Sequence, residues 1–316
     1  MAVTTELESP ASSESEERTR AGFVALIGAP NAGKSTLLNQ LVGTKVAIVT
    51  HKVQTTRSVI RGIAMHEGAQ IVFVDTPGIF APKKRLEKAM VSTAWAQVAD
   101  ADITAVLIDA RVGLDEAALG IIDRLGESGA REDKRVLILN KIDLVRRDAL
   151  LAITAEANAR LPFSRTFMVS AANGDGVSDL LEFFSGAMPE GPYLYPEDQV
   201  SDLPMRAIAA EVTREKLMLR LHQEVPYSAT VETESWEEKR DGSVRISQVI
   251  FVERESHRKI LLGKGGETIK QISIAARREL HHMLERKVHL FLFVKVREGW
   301  TNDPERYREM GLEFPK

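Results

Sequence analysis

The sequence of 316 residues contains no cysteine. This absence excludes a disulfide framework, a thiolate metal site, a cysteine nucleophile and a thiol redox switch, and it fits a reducing compartment. The chain also has no run of about 18 apolar residues, so we predict no membrane-spanning helix. Residues 1–20 carry five acids and lack the apolar core of a signal peptide, so we interpret them as a disordered acidic tail. Together these features predict a cytoplasmic protein.

A chain of this length is expected to form two domains. Its 42 basic and 45 acidic residues give a formal charge of −3, which by itself does not indicate a nucleic-acid partner. The charge is unevenly distributed, because Arg254–Arg297 holds eleven bases and four acids, a net +7, and the rest of the chain carries −10. We therefore expect a phosphate-binding face in the C-terminal part of the chain.

Apolar runs of strand length alternate with amphipathic stretches from residue 21 to residue 188. The runs are rich in Val, Ile, Leu and Phe, as is typical of buried parallel strands. They are Phe23–Gly28, Ile71–Asp75, Ile103–Asp109, Arg135–Asn140 and Thr166–Ser170. The alternation predicts an α/β domain over 21–188 with a doubly wound mixed sheet, whose ligands bind at the carboxyl ends of the strands. Proline-rich residues 189–204 are interpreted as a linker to a second domain, 205–300, and residues 301–316 as a C-terminal tail.

The first predicted strand leads into a phosphate-binding motif. Gly28–Ser35 reads GAPNAGKS, fits GxxxxGK[ST] and is followed by a predicted helix, the context of a P-loop. Backbone N–H groups of such a loop surround phosphates, the lysine (Lys34) reaches the β- and γ-phosphates, and the serine hydroxyl (Ser35) binds Mg²⁺. A glycine-rich turn without a ligand is the alternative.

Three further motifs follow predicted strands. Asp75–Gly78 (DTPG) offers a carboxylate to the Mg²⁺ shell and an N–H to the γ-phosphate. Asn140–Asp143 (NKID) places a carboxylate that can accept both guanine N1–H and N2–H, a donor pair that adenine lacks. Ser170–Ala172 (SAA) can supply a backbone N–H to guanine O6. The order and spacing of the four motifs are those of translation-factor-class GTPases, so the predicted P-loop GTPase domain binds GTP with Mg²⁺.

The predicted site residues fall into three groups. The predicted GTP contacts are Gly28, Asn31, Ala32, Gly33, Lys34, Ser35, Thr36, Asp75, Thr76, Pro77, Gly78, Asn140, Lys141, Asp143, Ser170, Ala171 and Ala172. The predicted Mg²⁺ ligands are Ser35, Thr56 and Asp75, although Thr55 is an alternative to Thr56. The predicted catalytic residues are Lys34, Thr56, Gly78 and Asn31. We expect the nucleotide to control two switch segments, Thr44–Ser58 and Thr76–Lys88, and thereby the seating of the second domain.

The residue after the DTPG motif is Ile79, where Ras-like enzymes have a glutamine that orients the attacking water. Isoleucine cannot perform this role, so hydrolysis must depend on stabilisation of phosphate charge and on a group from elsewhere. One hypothesis is that Asn31 helps to hold K⁺ as a substitute for an arginine finger. The alternative is that Asn31 only stabilises its loop.

The second domain is predicted to be an α+β type II KH domain. Its predicted elements are a helix over Arg206–His222, strands Tyr227–Glu234 and Val244–Phe251, two helices around Gly263–Gly266, and a strand over Lys287–Val296. The GKGG loop between the two helices fits GxxG, which lets the backbone approach a phosphodiester chain. A helix–turn–helix with a glycine C-cap is the alternative. The predicted RNA contacts are Gly263, Lys264, Gly265, Gly266, Lys270 and Arg277, and Trp236 and Trp300 are interpreted as packing residues.

Further segments resemble the Era family of bacterial GTPases, in the TrmE-Era-EngA-like group, over nearly all of Phe23 to Trp300. These segments are Gln54–Arg57 (QTTR), Arg214–Leu217 (REKL), Glu224–Ser228 (EVPYS) and Val252–Glu255 (VERE), which leads into Ile260–Lys270. The resemblance implies binding of 16S ribosomal RNA near its 3′ end, a role in small ribosomal subunit assembly and slow intrinsic hydrolysis. It also implies peripheral association with the inner face of the cell membrane. We expect no DNA partner.

Two other functions fit the same sequence. The chain could be an RNA chaperone with a vestigial GTPase site, which normal ribosome maturation after substitution of Lys34 would favour. It could also be a membrane-associated signalling GTPase whose basic helix face meets anionic lipid. Comparing binding to a pyrimidine-rich strand with binding to anionic vesicles separates this function from RNA binding.

Overall fold

A six-stranded sheet organises the first half of the chain, in the order β2-β3-β1-β4-β5-β6. The structure, a computed structural model, describes residues 19–129, 131–300 and 303–315. The strands are β1 (Arg20–Gly28), β2 (Ile60–His66), β3 (Ala69–Asp75), β4 (Ile103–Asp109), β5 (Arg135–Asn140) and β6 (Arg165–Val169). All neighbours pair in parallel except β2, which runs antiparallel to β3 at one edge. The predicted α/β P-loop domain with a mixed sheet is confirmed.

Five helices cover the two faces of this sheet. They are α1 (Lys34–Val42), α2 (Arg85–Asp100), α3 (Glu116–Glu127), α4 (Arg147–Arg160) and α5 (Val177–Ala187). Apolar side chains from alternate strand positions form one buried cluster with α1 and α5 and another with α2, α3 and α4. Because both faces are covered, the central strands are apolar along their whole length. The same layering brings the carboxyl ends of β1, β3, β4, β5 and β6 to one edge.

The segment after α5, residues 189–204, packs along this domain. Gln70, which is fully buried in β3, accepts hydrogen bonds from the N–H groups of Leu194 and Tyr195 through its side-chain oxygen. Arg61 on the edge strand β2 pairs with Asp202 at 3.0 Å. Residues 189–204, predicted as a linker, are thus attached to the first domain along part of their length. This attachment restricts the position at which the second domain begins.

The second half of the chain folds as a three-stranded sheet packed on helices. Its elements are α6 (Met205–Arg220), a 3₁₀ turn (Val225–Ser228), β7 (Ala229–Glu238), β8 (Val244–Val252), α7 (Glu255–Leu262), α8 (Glu267–Met283) and β9 (Val288–Val296). The strand order is β7-β8-β9, with β8 and β9 parallel. This arrangement confirms the predicted KH fold. The first strand begins at Ala229, later than the predicted Tyr227, because the residues around Pro226 form the 3₁₀ turn.

Both ends of the chain differ from the predicted tails. Arg20, the last residue of the predicted N-terminal tail, begins β1, and residues 1–18 lie outside the described residues. Near the other end, α9 (Pro304–Glu309) and the residues after it pack on α2, with Tyr307 and Leu312 against Leu86 and Met90. Over the described ranges, no helix is long and apolar enough to cross a membrane.

Candidate functional site

The loop between β1 and α1 has a backbone that only glycine permits at two positions. Gly33 has φ of 97°, and a Cβ atom there would lie 2.2 Å from Nδ2 of Asn140. A Cβ atom on Gly28 would lie 2.5 Å from the carbonyl oxygen of Leu107. The loop is thus pressed against the ends of the neighbouring strands, and it leads directly into the N-terminus of α1, where a helix favours an anion.

Lys34, the first residue of α1, lies buried inside the loop. Its Nζ donates hydrogen bonds to the carbonyl oxygens of Gly28, at 3.0 Å, and Ala29, at 3.1 Å. Burial lowers its pKa to about 8, although the nearby carboxylate of Asp75 opposes this effect. A polyphosphate at the loop would favour the charged lysine, because an opposite charge at close range stabilises the ammonium form. Lys34 is therefore positioned to bind an anion.

Three oxygen-bearing side chains meet beside the loop. Ser35 Oγ lies 2.9 Å from Thr56 Oγ1 and donates to Asp75 Oδ2 at 2.6 Å. The other carboxylate oxygen of Asp75, Oδ1, is buried and has no hydrogen-bond partner among the described residues. Burial raises the pKa of Asp75 to about 6, against the opposing effects of Lys34, Ser35 and Thr56. An unpartnered oxygen beside two hydroxyls fits a hard cation that prefers oxygen ligands, as Mg²⁺ does.

The two adjacent threonines of the first switch segment have different surroundings. Thr55 Oγ1 donates to the carbonyl oxygen of Lys52 and contacts Thr50 Oγ1 at 2.6 Å. Only Thr56 reaches Ser35 and Asp75. The structure thus brings together the three side chains of the predicted metal site, with Thr56 and not Thr55 as the third.

The second switch segment begins in close contact with the phosphate-binding loop. A Cβ atom on Gly78 would lie 2.9 Å from the backbone of Pro30, so no larger residue fits there without a shift. The N–H of Ile79 donates to the carbonyl oxygen of Gly28 at 3.1 Å. The Ile79 side chain points into the apolar cluster under α2 and cannot reach a water at the site.

The other end of the site is organised by Asn140. Its Nδ2 donates to the carbonyl oxygen of Ala32 at 2.9 Å, and its Oδ1 accepts from the N–H of Ala171 at 3.0 Å. Lys141 Nζ donates to the carbonyl oxygen of Asn31 at 2.6 Å and to Asp109. These two residues tie three loops together, a bracing role that sequence reasoning did not assign to them.

The remaining residues predicted at this end lie at the surface or behind it. Asp143 and Ala172 are exposed, and Asn31 is exposed with φ of 63°. Ser170 is fully buried, and its Oγ has no partner among the described residues. The N–H of Ala171 bonds to Asn140, whereas Ala172 is exposed.

In the second domain, α7 and α8 meet at the GKGG loop. Gly263, Gly265 and Gly266 have φ of 73°, 62° and 78°, and a Cβ atom on Gly263 would lie 2.2 Å from Thr268 Oγ1. At Gly265 and Gly266, by contrast, no heavy atom of the described residues beyond the adjoining chain lies within 4 Å of such a Cβ. Lys264 is exposed between these glycines. The loop offers an open backbone surface beside one cation, as close approach by a phosphodiester requires.

The positive charge of this domain is partly paired within the protein. Lys270 lies 3.8 Å from Glu267, and Arg286 and Lys295 pair with glutamates of β7. Arg277, two helical turns beyond Lys270 on α8, is exposed. The net charge therefore overstates the number of cations available to a ligand. The exposed cations include Lys264, Lys270, Arg277 and Arg278 on the loop and α8, together with Arg254, Lys259 and Lys287 elsewhere.

Comparisons with known proteins agree with both halves of this description. The family described as "50S ribosome-binding GTPase" matches residues 23–141, and the family described as "KH domain" matches residues 224–301. The GTPase Era of Mesorhizobium japonicum is 65% identical over 297 residues, which are 94% of this chain and 95% of that protein. The GTPase Era of Brucella suis is 62% identical, over 97% of this chain and 98% of that protein. The chain belongs to the Era family of GTPases.

Two solved Era structures share its architecture. A crystal structure of Era in complex with MgGDPNP and nucleotides 1506–1542 of 16S ribosomal RNA has 36% identity and a TM-score of 0.87. It is matched over 93% of this chain and 99% of that chain. A variant of Aquifex aeolicus Era bound to GDP·AlF4⁻ has the same identity, TM-score and coverage.

In this Era-family chain, the first switch segment also contacts the KH domain. Lys45 pairs with Glu215 at 2.8 Å and contacts Glu279, and Lys52 Nζ donates to the carbonyl oxygen of Met218 at 2.5 Å. The N–H of Val49 donates to Glu215 as well. The segment that carries Thr56 thus lies between the two domains. Sequence reasoning missed these contacts, which join residues more than 150 positions apart and leave no local pattern.

Proposed function

We propose that this chain is a Mg²⁺-dependent GTP hydrolase whose KH domain binds 16S ribosomal RNA near its 3′ end during assembly of the small ribosomal subunit. The observation that carries the proposal is the Era complex with MgGDPNP and nucleotides 1506–1542 of 16S ribosomal RNA. Both ligand sites expected from that complex have a geometric counterpart here, in one chain matched over 93% of its length.

The first site supports GTP as the substrate. In our proposal the loop from Gly28 to Ser35 surrounds the phosphates, and Lys34 leaves its carbonyl partners to meet the β- and γ-phosphates. Asp143 accepts the two guanine donors, and the N–H of Ala172 meets guanine O6. A carboxylate is the acceptor that discriminates against adenine, since adenine has no matching donor pair.

Ser35, Thr56 and the orphaned oxygen of Asp75 would hold Mg²⁺ directly or through water. The metal would neutralise charge on the β- and γ-phosphate oxygens. Lys34 adds positive charge from the loop, and Gly78 offers its N–H to the γ-phosphate. Because Ile79 is buried away from the site, this chain does not orient water with the residue after its DTPG motif.

The second site supports single-stranded RNA as the partner. An open glycine backbone beside Lys264 suits a phosphodiester chain, and the exposed Lys270 and Arg277 extend positive charge along α8. The family description that names the 50S ribosome matches only the GTPase half of the chain, so it does not bear on what the KH half binds.

Direct binding and turnover measurements test the proposal. The wild-type protein should hydrolyse GTP in a Mg²⁺-dependent reaction and should bind an RNA of nucleotides 1506–1542 more tightly than a scrambled RNA of equal length. Hydrolysis without preference for the specific RNA would contradict the RNA half. Specific RNA binding without turnover would favour an RNA chaperone.

Asp143→Asn provides a control for guanine recognition. An amide at this position presents a donor where the carboxylate accepted, so GTP affinity should fall while affinity for xanthosine triphosphate rises. Asp143 is exposed, and the substitution should leave the fold intact. Unchanged preference for GTP would show that Asp143 does not contact the base.

We further propose that the chain works in the cytoplasm with peripheral contact to the inner face of the membrane, as the family resemblance implied. Flotation of the protein with anionic vesicles, in the presence and absence of the 16S fragment, tests this point. Competition between RNA and vesicles would indicate one shared basic face.

A further inference from the structure

Arg57, the residue after Thr56, is a G-domain side chain buried in the KH domain. Its Nη1 donates to the carbonyl oxygen of Ala229 at 2.8 Å, and its Nη2 donates to those of Pro226 and Tyr227, each at 3.0 Å. Two of these carbonyls lie in the 3₁₀ turn, where helical carbonyls lack partners within the turn, and the third belongs to Ala229, the first residue of β7. The indole of Trp300 lies 5.9 Å from the guanidinium and donates to the carbonyl oxygen of Ser228.

These contacts satisfy only part of the hydrogen-bonding capacity of the Arg57 guanidinium. The side chain is 3% exposed, its acceptors are carbonyl oxygens, and it forms no salt bridge among the described residues. Its Nε is buried without a partner in the described structure. Burying a cation without a direct salt bridge is costly, although the nearby carboxylate of Glu211 offsets part of that cost. Arg57 is therefore held in an arrangement that a modest change at its backbone can undo.

The backbone of Arg57 is governed by the Mg²⁺ site. Thr56 meets Ser35 and Asp75, and consecutive Cα atoms are about 3.8 Å apart, so Thr56 cannot leave its place without moving Arg57. Arg214 of α6 also holds the carbonyl oxygen of Thr55, which fixes the chain on the other side. Segments of this kind are ordered by the γ-phosphate and Mg²⁺ and released after hydrolysis.

The far side of the same turn contacts the helix that leads into the RNA-binding loop. Ser228 Oγ lies 3.0 Å from Nδ1 of His257, which is buried on α7. Val225, Ala229 and Leu261 pack in one apolar cluster, and α7 ends at Leu262, directly before Gly263, the first residue of the GKGG loop. A continuous set of contacts thus runs from the Mg²⁺ site to the RNA-binding loop.

We infer that Arg57 and His257 are positioning residues that couple the nucleotide to the GKGG loop. When Thr56 is held at the metal site, Arg57 stays hydrogen-bonded to the backbone of residues 225–229. This segment in turn keeps α7 in place through the contact between Ser228 and His257. Release of Thr56 withdraws Arg57 and loosens α7 and its loop. The inference rests on the proposed function and adds to it the residues through which GTP and RNA affect each other's binding.

The first test is the ratio of RNA affinities in two nucleotide states. The dissociation constant of the 1506–1542 RNA is measured with MgGDPNP and with MgGDP, for the wild type and for Arg57→Gln. The wild-type ratio should be at least about fivefold, the lower range of allosteric coupling, and Arg57→Gln should bring it near one. The inference is overturned if Arg57→Gln keeps the wild-type ratio. This includes the case in which RNA affinity falls equally with both nucleotides, because the ratio is then unchanged.

His257 allows an independent test with a conservative rescue. Asparagine places a polar atom near the position of Nδ1 and can keep the contact to Ser228, whereas glutamine places one near Nε2 and loses it. His257→Asn should retain most of the wild-type ratio and His257→Gln should lose most of it. If the two variants behave alike, the hydrogen bond to Ser228 is not part of the coupling.

Arg61→Gln is the matched control. Arg61 is also an arginine of the first domain that contacts a residue beyond α5, Asp202. Its side-chain hydrogen-bond partners among the described residues are Asp202 and Gln97, and neither belongs to the 3₁₀ turn or to α7. Arg61→Gln should leave the ratio unchanged. A loss equal to that of Arg57→Gln would mean that any weakening of the attachment between the domains is sufficient, which overturns the specific assignment.

Hydrogen exchange without RNA separates this inference from the proposed function. In the wild type, amide protection over residues 224–229 and 255–266 should rise when MgGDPNP replaces MgGDP, and in Arg57→Gln it should not. If the wild type binds no RNA but shows this change, the proposed RNA function fails and the coupling stands. If it binds RNA but protection is the same in both nucleotides, the coupling fails alone.

Discussion

The two glycine loops of this chain are built in opposite ways. The phosphate-binding loop is closed in by its own domain: Asn140 and Lys141 bond to its carbonyls, and Gly33 and Gly78 have no room for a methyl group. The GKGG loop faces open space at Gly265 and Gly266. Both use glycine, but the first needs it throughout for contacts within the protein. The second needs it for such a contact at Gly263, beside Thr268, and leaves the backbone of Gly265 and Gly266 open to a ligand.

The difference follows from what each loop is proposed to do. Stabilising charge that develops during phosphoryl transfer requires donors that are fixed beforehand, since reorganisation during the reaction would raise the barrier. Binding a flexible single strand requires an accessible surface, and order can come with the ligand. The closed loop should therefore be intolerant of small changes, whereas the open loop should be sensitive mainly in the presence of RNA.

Lys34→Ala should have the largest effect. It removes the cation buried in the closed loop, and we expect the rate of GTP hydrolysis to fall by about 10²–10³-fold, the usual loss for one fixed electrostatic donor. Single-turnover hydrolysis measures this directly. Lys134→Ala, at an exposed position just before β5, is the matched control and should leave the rate unchanged. RNA affinity of the nucleotide-free protein should not change, and a loss there would mean that the loops are not separable.

Substituting alanine for one glycine in each loop tests whether the first loop is closed and the second is open. Gly33→Ala places a methyl group 2.2 Å from Asn140 at φ of 97° and should cost about 1–3 kcal/mol of unfolding free energy, with loss of nucleotide affinity. Gly265→Ala has φ of 62° but open space, so we expect only the backbone cost of about 1 kcal/mol. Urea unfolding compares the two. Equal destabilisation would contradict the view that only the first loop is closed.

Much of the closed loop was predictable from sequence because its chemistry is local. A lysine and a serine after a strand, or an acid at a strand end, carry their roles in their own residue types. Thr55 and Thr56 could not be separated, because two adjacent hydroxyls look alike until the chain around them is folded. Strand β2 escaped prediction because an edge strand with Arg61 and Gly62 lacks the continuous apolar run of its buried neighbours.

Contacts between the domains were beyond sequence reasoning for a different reason. Arg57 could be identified as part of a resembling motif, but its acceptors are backbone carbonyls, which every residue carries. Trp300 was correctly interpreted as a packing residue, yet its position against Arg57 depends on the fold of both domains. The predicted C-terminal tail forms α9 because Tyr307 finds an apolar partner only once α2 is in place.

A pH titration probes the buried carboxylate of the closed loop. Burial raises the pKa of Asp75 to about 6, so the folded protein takes up a proton there while the unfolded chain stays ionised down to its ordinary value. Mg²⁺ requires the ionised form. Mg²⁺ affinity of the GDP complex should therefore be constant above this pKa and fall by up to about tenfold per pH unit below it. Protonation of Asp75 also removes a buried charge. As the pH falls through this range, Asp75 should therefore stabilise the metal-free folded protein against unfolding.

Titrating Mg²⁺ against a fluorescent GDP complex at several pH values gives the profile. Free Mg²⁺–GDP, measured in the same buffers, is subtracted to remove proton uptake by the nucleotide itself. A profile identical to that of free Mg²⁺–GDP would show that Asp75 does not control the metal.

Replacement of K⁺ by Na⁺ should have the smallest effect on GTP turnover. It tests the role of Asn31 at the exposed edge of the closed loop. Asn31 is exposed, and Lys141 holds its carbonyl, so its amide side chain is directed by a fixed backbone but carries no hydrogen bond among the described residues. If Asn31 helps to hold K⁺, GTP turnover should be several-fold faster in K⁺ than in Na⁺, and Asn31→Ala should remove the difference. If it only stabilises the loop, Asn31→Ala should slow turnover equally in both salts. Equal wild-type rates in the two salts would mean that the closed loop has no K⁺ at its exposed edge, and another group would then have to complete the stabilisation of phosphate charge.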